Sequence, residues 1–156
     1  MSMRAAVLGA IRKTLRRFRK CGAVPGRDVA PWIVALTHSP HTKLALRVSV
    51  FREEWHYNIA TSLEDALRLL DRNPVDALLY DLDFGEGDWR ALCRLAIQRG
   101  IGFQLIATAP DDDLFLDILA AGGAGVLFKP VTPDQLISSI AFARTLAEAT
   151  LTHAAP

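Results

Sequence analysis

Short runs of almost uninterrupted apolar residues recur along the chain, separated by longer segments in which apolar residues follow a helical period. Strands buried on both faces of a parallel sheet have this continuous apolar character, whereas half-exposed strands alternate strictly between apolar and polar residues. The pattern therefore predicts five buried strands. They cover residues 32–37, 57–61, 77–80, 103–107 and 126–128.

Four of the intervening segments begin with residues that favour a helix N-terminus. These residues are a serine or threonine cap, a proline at the first helical position, or carboxylates at the positive end of the helix dipole. The four starts are at residues 39–40, 62–65, 111–113 and 132–135. A further helix is predicted over residues 89–98, and the last helix is expected to end near Glu148.

Large apolar side chains are frequent in the first predicted helix and just beyond it, and we expect them to include its buried face. They are Leu44, Leu46, Val48, Val50, Phe51 and Trp55. Five strands alternating with five helices predict an α/β fold with a doubly wound, five-stranded parallel sheet. In such folds the functional site lies at the carboxyl ends of the strands, near the switch in strand order.

The chain divides by charge into a basic arm and an acidic body. Residues 1–28 contain eight lysines and arginines and one acid, giving a net charge of +7. The remaining residues contain ten lysines and arginines and sixteen acids, giving −6. We therefore expect an arm with its linker over residues 1–28, a domain over residues 29–150 and a tail over residues 151–156.

Apolar residues of the arm recur at spacings of four, four and three, which predicts one stripe of an amphipathic helix. They are Val7, Ile11, Leu15 and Phe18. A basic amphipathic helix can lie on an anionic membrane surface, contact nucleic acid or dock on an acidic partner. An organelle transit peptide and a solubilising extension are the alternatives.

Composition narrows the class of protein. Hydrophobic residues make up 51% of the chain and charged residues 22%, which is typical of a globular domain. No stretch reaches the roughly 18 uninterrupted apolar residues of a membrane-spanning helix. The two cysteines, Cys21 and Cys93, exclude a disulfide scaffold and fit a reducing cytosol. We expect a cytoplasmic protein whose arm is its one candidate for peripheral membrane contact.

Polar residues with chemical potential follow several of the predicted strands. They are Thr37, His38, Asp81, Thr108 and Lys129. The sequence contains no glycine-rich dinucleotide fingerprint after the first strand, no phosphate-binding loop and no Gly-x-Ser-x-Gly nucleophile elbow. Nucleotide-binding and hydrolase functions therefore lose their best support, and we expect that the protein is not an enzyme.

Three segments resemble the receiver domains of two-component response regulators. Residues 76–82 (DALLYDL) resemble the third strand with its phosphoacceptor aspartate, and residues 105–109 (LIATA) resemble the fourth strand with its hydroxyl residue. Residues 121–130 (AGGAGVLFKP) resemble the segment in which a lysine precedes a cis proline, here Pro130. The resemblance covers most of the body and implies a flavodoxin-like fold of the receiver type.

The resemblance also implies roles for individual residues. Asp81 is the phosphoacceptor, which takes a phosphoryl group from a histidine kinase or a small donor with the help of Mg²⁺. Lys129 pairs with a phosphoryl oxygen, and Thr108 is the switch hydroxyl. Asp83, two residues beyond the acceptor, offers its backbone carbonyl to the metal. In this family, a protein with such a site is a phosphoprotein that takes part in a phosphorelay.

The sequence departs from the family pattern at two places. Receivers end the first strand with two adjacent acids that hold Mg²⁺, whereas Thr37 and His38 stand here. Because Mg²⁺ prefers carboxylate oxygens, Asp81 and Asp83 remain as candidate ligands, and metal-dependent phosphorylation is expected to be badly weakened. The aromatic switch position of the fifth strand is Val126. Both changes indicate an atypical receiver or pseudo-receiver.

His38 has two interpretations. In the first, it acts at the site, either by pairing with Asp81 in place of the missing metal or by ligating an ion such as zinc. In the second, it is a loop histidine that is hydrogen-bonded to Asp81 or to solvent. One histidine and one aspartate make a poor metal site, which favours the loop interpretation.

We expect a single-domain response regulator that acts by protein–protein contact with a histidine kinase or another signalling protein. By resemblance, its contact and homodimer face, the α4–β5–α5 face of receivers, comprises residues 114–121, the fifth strand and residues 135–144. The alternative is a phosphorylation-independent scaffold anchored by the basic arm. A third hypothesis is an enzyme or small-anion binder that uses His38, Asp81, Thr108 and Lys129.

Overall fold

A computed structural model describes residues 30–109 and 111–154. The predicted arm and linker, with Cys21, and the last two residues of the predicted tail lie outside this range. The strands are β1 (Trp32–Leu36), β2 (His56–Ile59), β3 (Ala77–Asp81), β4 (Gly102–Ala107) and β5 (Val126–Phe128). The helices are α1 (Pro40–Glu53), α2 (Leu63–Arg72), α3 (Trp89–Gln98), α4 (Asp112–Ala120) and α5 (Pro133–Ala154).

All five strands pair in parallel in one sheet, in the order β2-β1-β3-β4-β5. The chain moves outward from β1 to β2 and then returns across the sheet, so the strand order switches between β1 and β3. In the register, Leu36 lies opposite Tyr80, and Asp81 lies opposite Ile106. The predicted doubly wound α/β fold is confirmed, and the carboxyl ends of the central strands meet at one edge.

The two faces of the sheet carry separate cores because successive strand residues point to opposite sides. Ile33 and Leu79 pack beneath α1 and α5, together with Leu46 and Ile140. On the other face, Val34, Leu78 and Phe103 pack with α2, α3 and α4. Cys93 of α3 lies in that second core, and burial raises the pKa of its thiol to about 11.

Predicted capping residues begin the helices. The Ser62 hydroxyl accepts from the Asp65 backbone N–H at 3.0 Å, and Asp111 accepts from the first turn of α4. At the start of α5, Thr132 and Gln135 bond each other reciprocally at 3.1 and 3.2 Å, which completes a capping box. The predicted end of this helix near Glu148 is wrong, because no residue before Pro156 forces the helix to stop.

The predicted buried face of α1 is only partly right. Leu46 is fully buried and Val50 and Trp55 are partly buried, but Leu44, Val48 and Phe51 face outward. The inner face is built instead from Leu46 and three small residues, Thr42, Ala45 and Ser49. Small side chains let α1 lie close to α5, and the Ser49 hydroxyl reaches the Pro133 carbonyl at 3.3 Å.

One glycine sets the contact between β4 and α5. A Cβ atom built on Gly102 would lie 2.6 Å from the backbone carbon and oxygen of Ala143, closer than such atoms approach. The helix backbone therefore packs directly on the first residue of β4. Among the residues that the structure describes, no helix is both long and apolar enough to cross a membrane.

Candidate functional site

Polar side chains from four elements meet at the carboxyl edge of the sheet. Thr37 follows β1, Asp81 ends β3, Thr108 follows β4 and Lys129 follows β5. Thr37 and Lys129 contact Asp81 directly. Thr108 joins them through Asp83, which lies in the short 3₁₀ turn after β3 and contacts both Thr108 and Lys129. Parallel pairing brings these residues together because each stands at the same end of its strand. The predicted site residues are thus neighbours, and the switch point between β1 and β3 lies within the site.

Asp81 is a buried carboxylate whose two oxygens are both engaged. Its side chain is 1% exposed. Oδ2 accepts the Thr37 hydroxyl at 2.8 Å and lies 2.8 Å from Lys129 Nζ, while Oδ1 accepts the Asp83 backbone N–H at 3.0 Å. A buried carboxylate is stable only when a cation and hydrogen-bond donors compensate it. Here Lys129 supplies the charge, and Thr37 and the backbone supply the donors.

Asp83 places a second carboxylate over the same lysine. Its side chain is 61% exposed, and Oδ2 accepts the Thr108 hydroxyl at 2.6 Å and Lys129 Nζ at 3.0 Å. The hydrogen bond from Thr108, together with the bond and charge of Lys129, holds the pKa of Asp83 below its usual value. Sequence reasoning considered Asp83 only as a metal ligand, and it missed the bridge that this side chain forms between Thr108 and Lys129.

Lys129 is the one cation that the two carboxylates share. Its burial works to lower the pKa of the ammonium group, but the hydrogen bonds to Asp81 and Asp83 outweigh that effect and raise the pKa. The peptide bond from Lys129 to Pro130 is cis, as the resemblance implied. One ammonium between two carboxylates leaves this cluster with a formal charge of −1.

Thr37 and His38, the two residues that follow β1, behave differently from each other. Thr37 is buried; its oxygen accepts the Ser39 backbone N–H at 3.1 Å while its hydroxyl donates to Asp81. His38 is exposed, and its ring stacks on Phe84 with centroids 4.4 Å apart. No hydrogen bond joins His38 to Asp81 in the part of the chain that the structure describes. This geometry agrees with the loop interpretation.

Tyr80 fixes the loop beside the site through a contact that no sequence motif signals. Its hydroxyl donates to the carbonyl oxygen of Glu86 at 2.7 Å, and burial, reinforced by nearby carboxylates, raises the pKa of this phenol. Gly85 and Gly87 have φ values of 81° and 85°, which glycine adopts without strain. Asp88 then caps α3 by accepting the Arg90 backbone N–H at 3.1 Å, so its carboxylate is committed to the helix.

The side chains, as they stand, do not fit a magnesium ion. Mg²⁺ is held by carboxylates in octahedral geometry, and the two carboxylates of this site already share Lys129. Thr37 offers a hydroxyl that is bonded to Asp81. Across residues 30–109 and 111–154, no group of three histidine, cysteine or acidic side chains is arranged to hold a metal ion.

Comparison with solved structures identifies the architecture. The fold superimposes on a response regulator from Thermotoga maritima with a TM-score of 0.66 at 19% identity, covering 75% of this chain and 99% of that one. The chain has the receiver fold. The chemotaxis response regulator CheY4 of Vibrio cholerae matches with a TM-score of 0.63 at 13% identity, covering 74% of this chain and 99% of that one.

A third receiver structure supports the same conclusion. The receiver domain of NtrC4 from Aquifex aeolicus matches with a TM-score of 0.60 at 16% identity, covering 75% of this chain and 97% of that one. No protein-family model matches the sequence, and no curated protein matches it. The receiver architecture is therefore preserved here at a sequence identity below that at which residue roles transfer by similarity.

Proposed function

We propose that the protein is an atypical receiver of two-component signalling that acts by protein–protein contact, with Asp81 in the phosphoacceptor position. The observation that carries this proposal is the joint placement of Asp81, Thr108 and Lys129 at the carboxyl edge of a receiver sheet. A carboxylate nucleophile, a hydroxyl and a cation are the groups that phosphoryl transfer to and recognition on an aspartate require.

The first atypical feature of the proposed receiver is Thr37. A carboxylate at this position would add a ligand for Mg²⁺, whereas the Thr37 hydroxyl donates a hydrogen bond to Asp81 and offers no charge. Lys129 supplies the positive charge that faces Asp81. Charge compensation in the resting site therefore comes from the protein itself, and phosphorylation with metal is expected to be weak.

The second atypical feature is the side chain of Asp83. Its carboxylate bridges Thr108 and Lys129, the two groups that would contact a phosphoryl group on Asp81. A carboxylate is a smaller anion of the same sign as a phosphoryl group. We propose that Asp83 acts as an internal substitute for that group and that it must leave before Asp81 can be phosphorylated.

Intact-mass spectrometry after incubation with acetyl phosphate and Mg²⁺ tests the proposal. The wild type is expected to gain little or no phosphoryl adduct. The double variant Thr37→Asp/His38→Asp restores the acidic pair and is expected to gain a single adduct, which adding Asp81→Asn abolishes. Complete phosphorylation of the wild type would contradict the proposed weak site, and an adduct that survives Asp81→Asn would contradict the assigned acceptor.

The role of Asp83 has its own test in the same assay. Asp83→Ala in the Thr37→Asp/His38→Asp background is expected to speed adduct formation because Thr108 and Lys129 become free to bind the phosphoryl group. Glu86→Ala is the matched control, since Glu86 is exposed in the same loop and the site uses none of its side chain. Equal rates for the two variants would contradict the proposed substitution.

A phosphorylation-independent scaffold is the second candidate function, and the bridging by Asp83 favours it. If Asp83 already occupies the phosphoryl position, the surface formed by α4, β5 and α5 is held in one state. That surface is the proposed contact face for a histidine kinase, another signalling protein or a second copy. Partner affinity that Asp81→Asn leaves unchanged in the presence of acetyl phosphate would support the scaffold, and a change would support the switch.

We further propose that the protein works in the cytoplasm and that its basic arm contacts a membrane surface or nucleic acid. The support is the net charge of +7 on residues 1–28.

A further inference from the structure

Three large apolar side chains form an exposed row along α1. Leu44 is 58% exposed, Val48 is 38% exposed and Phe51 is 86% exposed. Their spacings of four and three residues place them on one face of the helix. In the described part of the chain, the one other large apolar residue that is comparably exposed is Leu67 of α2, at 37%. Apolar surface is therefore concentrated on α1, and Phe51 contributes the most exposed side chain of the row.

The exposed charges of α1 and its cap residue balance each other. Arg47 and Arg52 are exposed cations, and Glu53 and Glu54 are exposed acids at the end of the helix. Arg52 is paired with Asp134 of α5 at 2.9 Å. Within the described part of the chain, no ion pair engages Arg47, Glu53 or Glu54. The apolar row thus has an unpaired cation beside its first half and unpaired acids beyond its end.

The unpaired charges are placed symmetrically about Phe51. Arg47 and Glu54 stand two helical turns apart, about 10 Å along the axis, so they lie on the same side of the row. Glu54 keeps the helical register, since its backbone N–H donates to the Val50 carbonyl. Phe51 lies within one residue of the midpoint between the two charges. If a second α1 is turned end for end about that midpoint, each Arg47 meets a Glu54 and the two Phe51 rings meet each other.

A second copy of the chain is the occupant that fits this arrangement. A two-fold contact uses the same patch on both copies, so each residue of the patch must complement the residue that the axis brings opposite it. The order of cation, apolar centre and acid along α1 meets that condition. An anionic membrane surface gains no net attraction from exposed charges that balance, and a wholly apolar partner leaves Arg47 and Glu54 without partners.

We infer that the outer face of α1 joins two copies of the chain in an antiparallel contact with its two-fold axis beside Phe51. Aromatic residues at the centre supply most of the binding energy of such contacts, and charge pairs at the rim fix the register. One helical row is smaller than the interface of a permanent complex, so the dimer is weak and depends on concentration. This inference goes beyond the signalling role, does not depend on the chemistry of Asp81 and concerns a different surface from α4, β5 and α5.

Sedimentation velocity of the full chain at low ionic strength tests the inference. Over a concentration series from about 1 µM to about 1 mM, the wild type is expected to pass from monomer to dimer, as a weak contact does. Phe51→Ser removes the ring beside the axis from both copies and is expected to weaken dimerisation about a hundredfold. Leu67→Ser, the matched control on α2, is expected to dimerise like the wild type.

Exchanging the two charges tests the antiparallel register. Arg47→Glu places acid against acid at both ends of the contact, and Glu54→Arg places cation against cation, so each is expected to weaken dimerisation about tenfold. The double variant Arg47→Glu/Glu54→Arg restores opposite charges and is expected to dimerise like the wild type. An equimolar mixture of the two single variants is expected to form a mixed dimer. Arg72→Glu, the same change of charge at an exposed position of α2, is expected to have no effect.

Three other outcomes overturn the assignment. A wild type that stays monomeric at every concentration does not use this face for a second copy, and binding to phosphatidylcholine vesicles that Phe51→Ser abolishes would then assign the face to lipid. A dimer that Phe51→Ser leaves intact forms through another surface. A double charge variant that dimerises as weakly as the single variants contradicts the antiparallel register. Thermal unfolding midpoints at about 1 µM, where the monomer prevails, confirm that each variant is folded.

Discussion

The site at the carboxyl edge of the sheet and the outer face of α1, formed by Leu44, Val48 and Phe51, differ in how their side chains are accommodated. The side chains of the site have partners within the protein, whereas those of the outer face are exposed. At the site, Asp81, Asp83 and Lys129 find partners within the protein. On α1, Phe51 and Leu44 face water. Groups that already have internal partners resist new ligands, whereas exposed apolar groups gain free energy when something covers them. The comparison indicates that binding of a partner at α1 is easier than transfer of a phosphoryl group to Asp81.

Removing Lys129, the cation that Asp81 and Asp83 share, is expected to have the largest effect on the stability of the site. Lys129→Met leaves the buried Asp81 carboxylate without a countercharge, which should lower the free energy of unfolding by about 3 kcal/mol. Urea denaturation measures the loss. The double variant Lys129→Met/Asp81→Asn removes the stranded charge and should recover most of it. A single-variant loss below about 1 kcal/mol would show that the pair behaves like an exposed one.

Truncating two leucines of the same helix separates the two faces of α1. Leu46→Ala empties a fully buried site and should cost about 3 kcal/mol of unfolding free energy. Leu44→Ala removes an exposed side chain and should stay within about 0.5 kcal/mol of wild type. Thermal or urea unfolding compares them directly. Similar costs for the two variants would mean that the outer face is covered in solution.

Replacing the Thr37 hydroxyl measures how much this group at the site contributes to the free energy of unfolding. Thr37→Val keeps the shape of the side chain but removes the hydrogen bond to the Asp81 carboxylate and the acceptor of the Ser39 backbone N–H. Because the acceptor is charged and buried, unfolding free energy should fall by about 2 kcal/mol. Thr37→Ser retains the hydroxyl and serves as the control in urea denaturation. Equal losses for valine and serine would assign the effect to packing instead of the hydrogen bond.

The pH dependence of the stability is expected to be the smallest of these effects. The folded pKa of Asp83 lies below 3.8, so its stabilising contribution is full above that pH and is lost as the pH falls through the folded value. The folded pKa of Lys129 lies above 10.5, so its contribution is full below that pH and is lost as the pH rises through the folded value. Thermal melts across both ranges measure these losses.

Lys129→Met is the control for the alkaline range. The Lys129 contribution should be absent from its melting profile, whereas the wild type should lose stability as the ammonium deprotonates. Identical alkaline profiles for the two proteins would contradict the assignment of this titration to Lys129.

The fold and the membership of the site were readable from the sequence because both follow from local signals. Apolar runs mark buried strands, and parallel strands bring the residues that follow them to one edge, so the order of residues alone groups Asp81, Thr108 and Lys129. The starts of four of the five helices were readable for the same reason, since residues such as Ser62 and Thr132 cap through neighbours only three residues away.

The orientation of side chains was not readable. Leu44 and Leu46 are the same residue type, and only the packing of α1 on α5 decides which is buried. The Asp83 side chain bonds Thr108, 25 positions along the chain, and local sequence carries no record of that direction. Hydrophobicity alone also cannot show that Ala45 and Ser49 are core residues, because they are buried where the packing requires a small side chain.

The contact of Gly102 with Ala143 has a mechanical consequence. The missing side chain lets the two backbones touch, which clamps α5 to the sheet near the middle of the helix. Leu136 and Ile140 of the same helix are fully buried, and the Ser49 hydroxyl contacts the Pro133 carbonyl, so α5 is held from its first turn to Ala143. The first half of α5 is therefore a rigid support behind the short segment that joins it to Lys129.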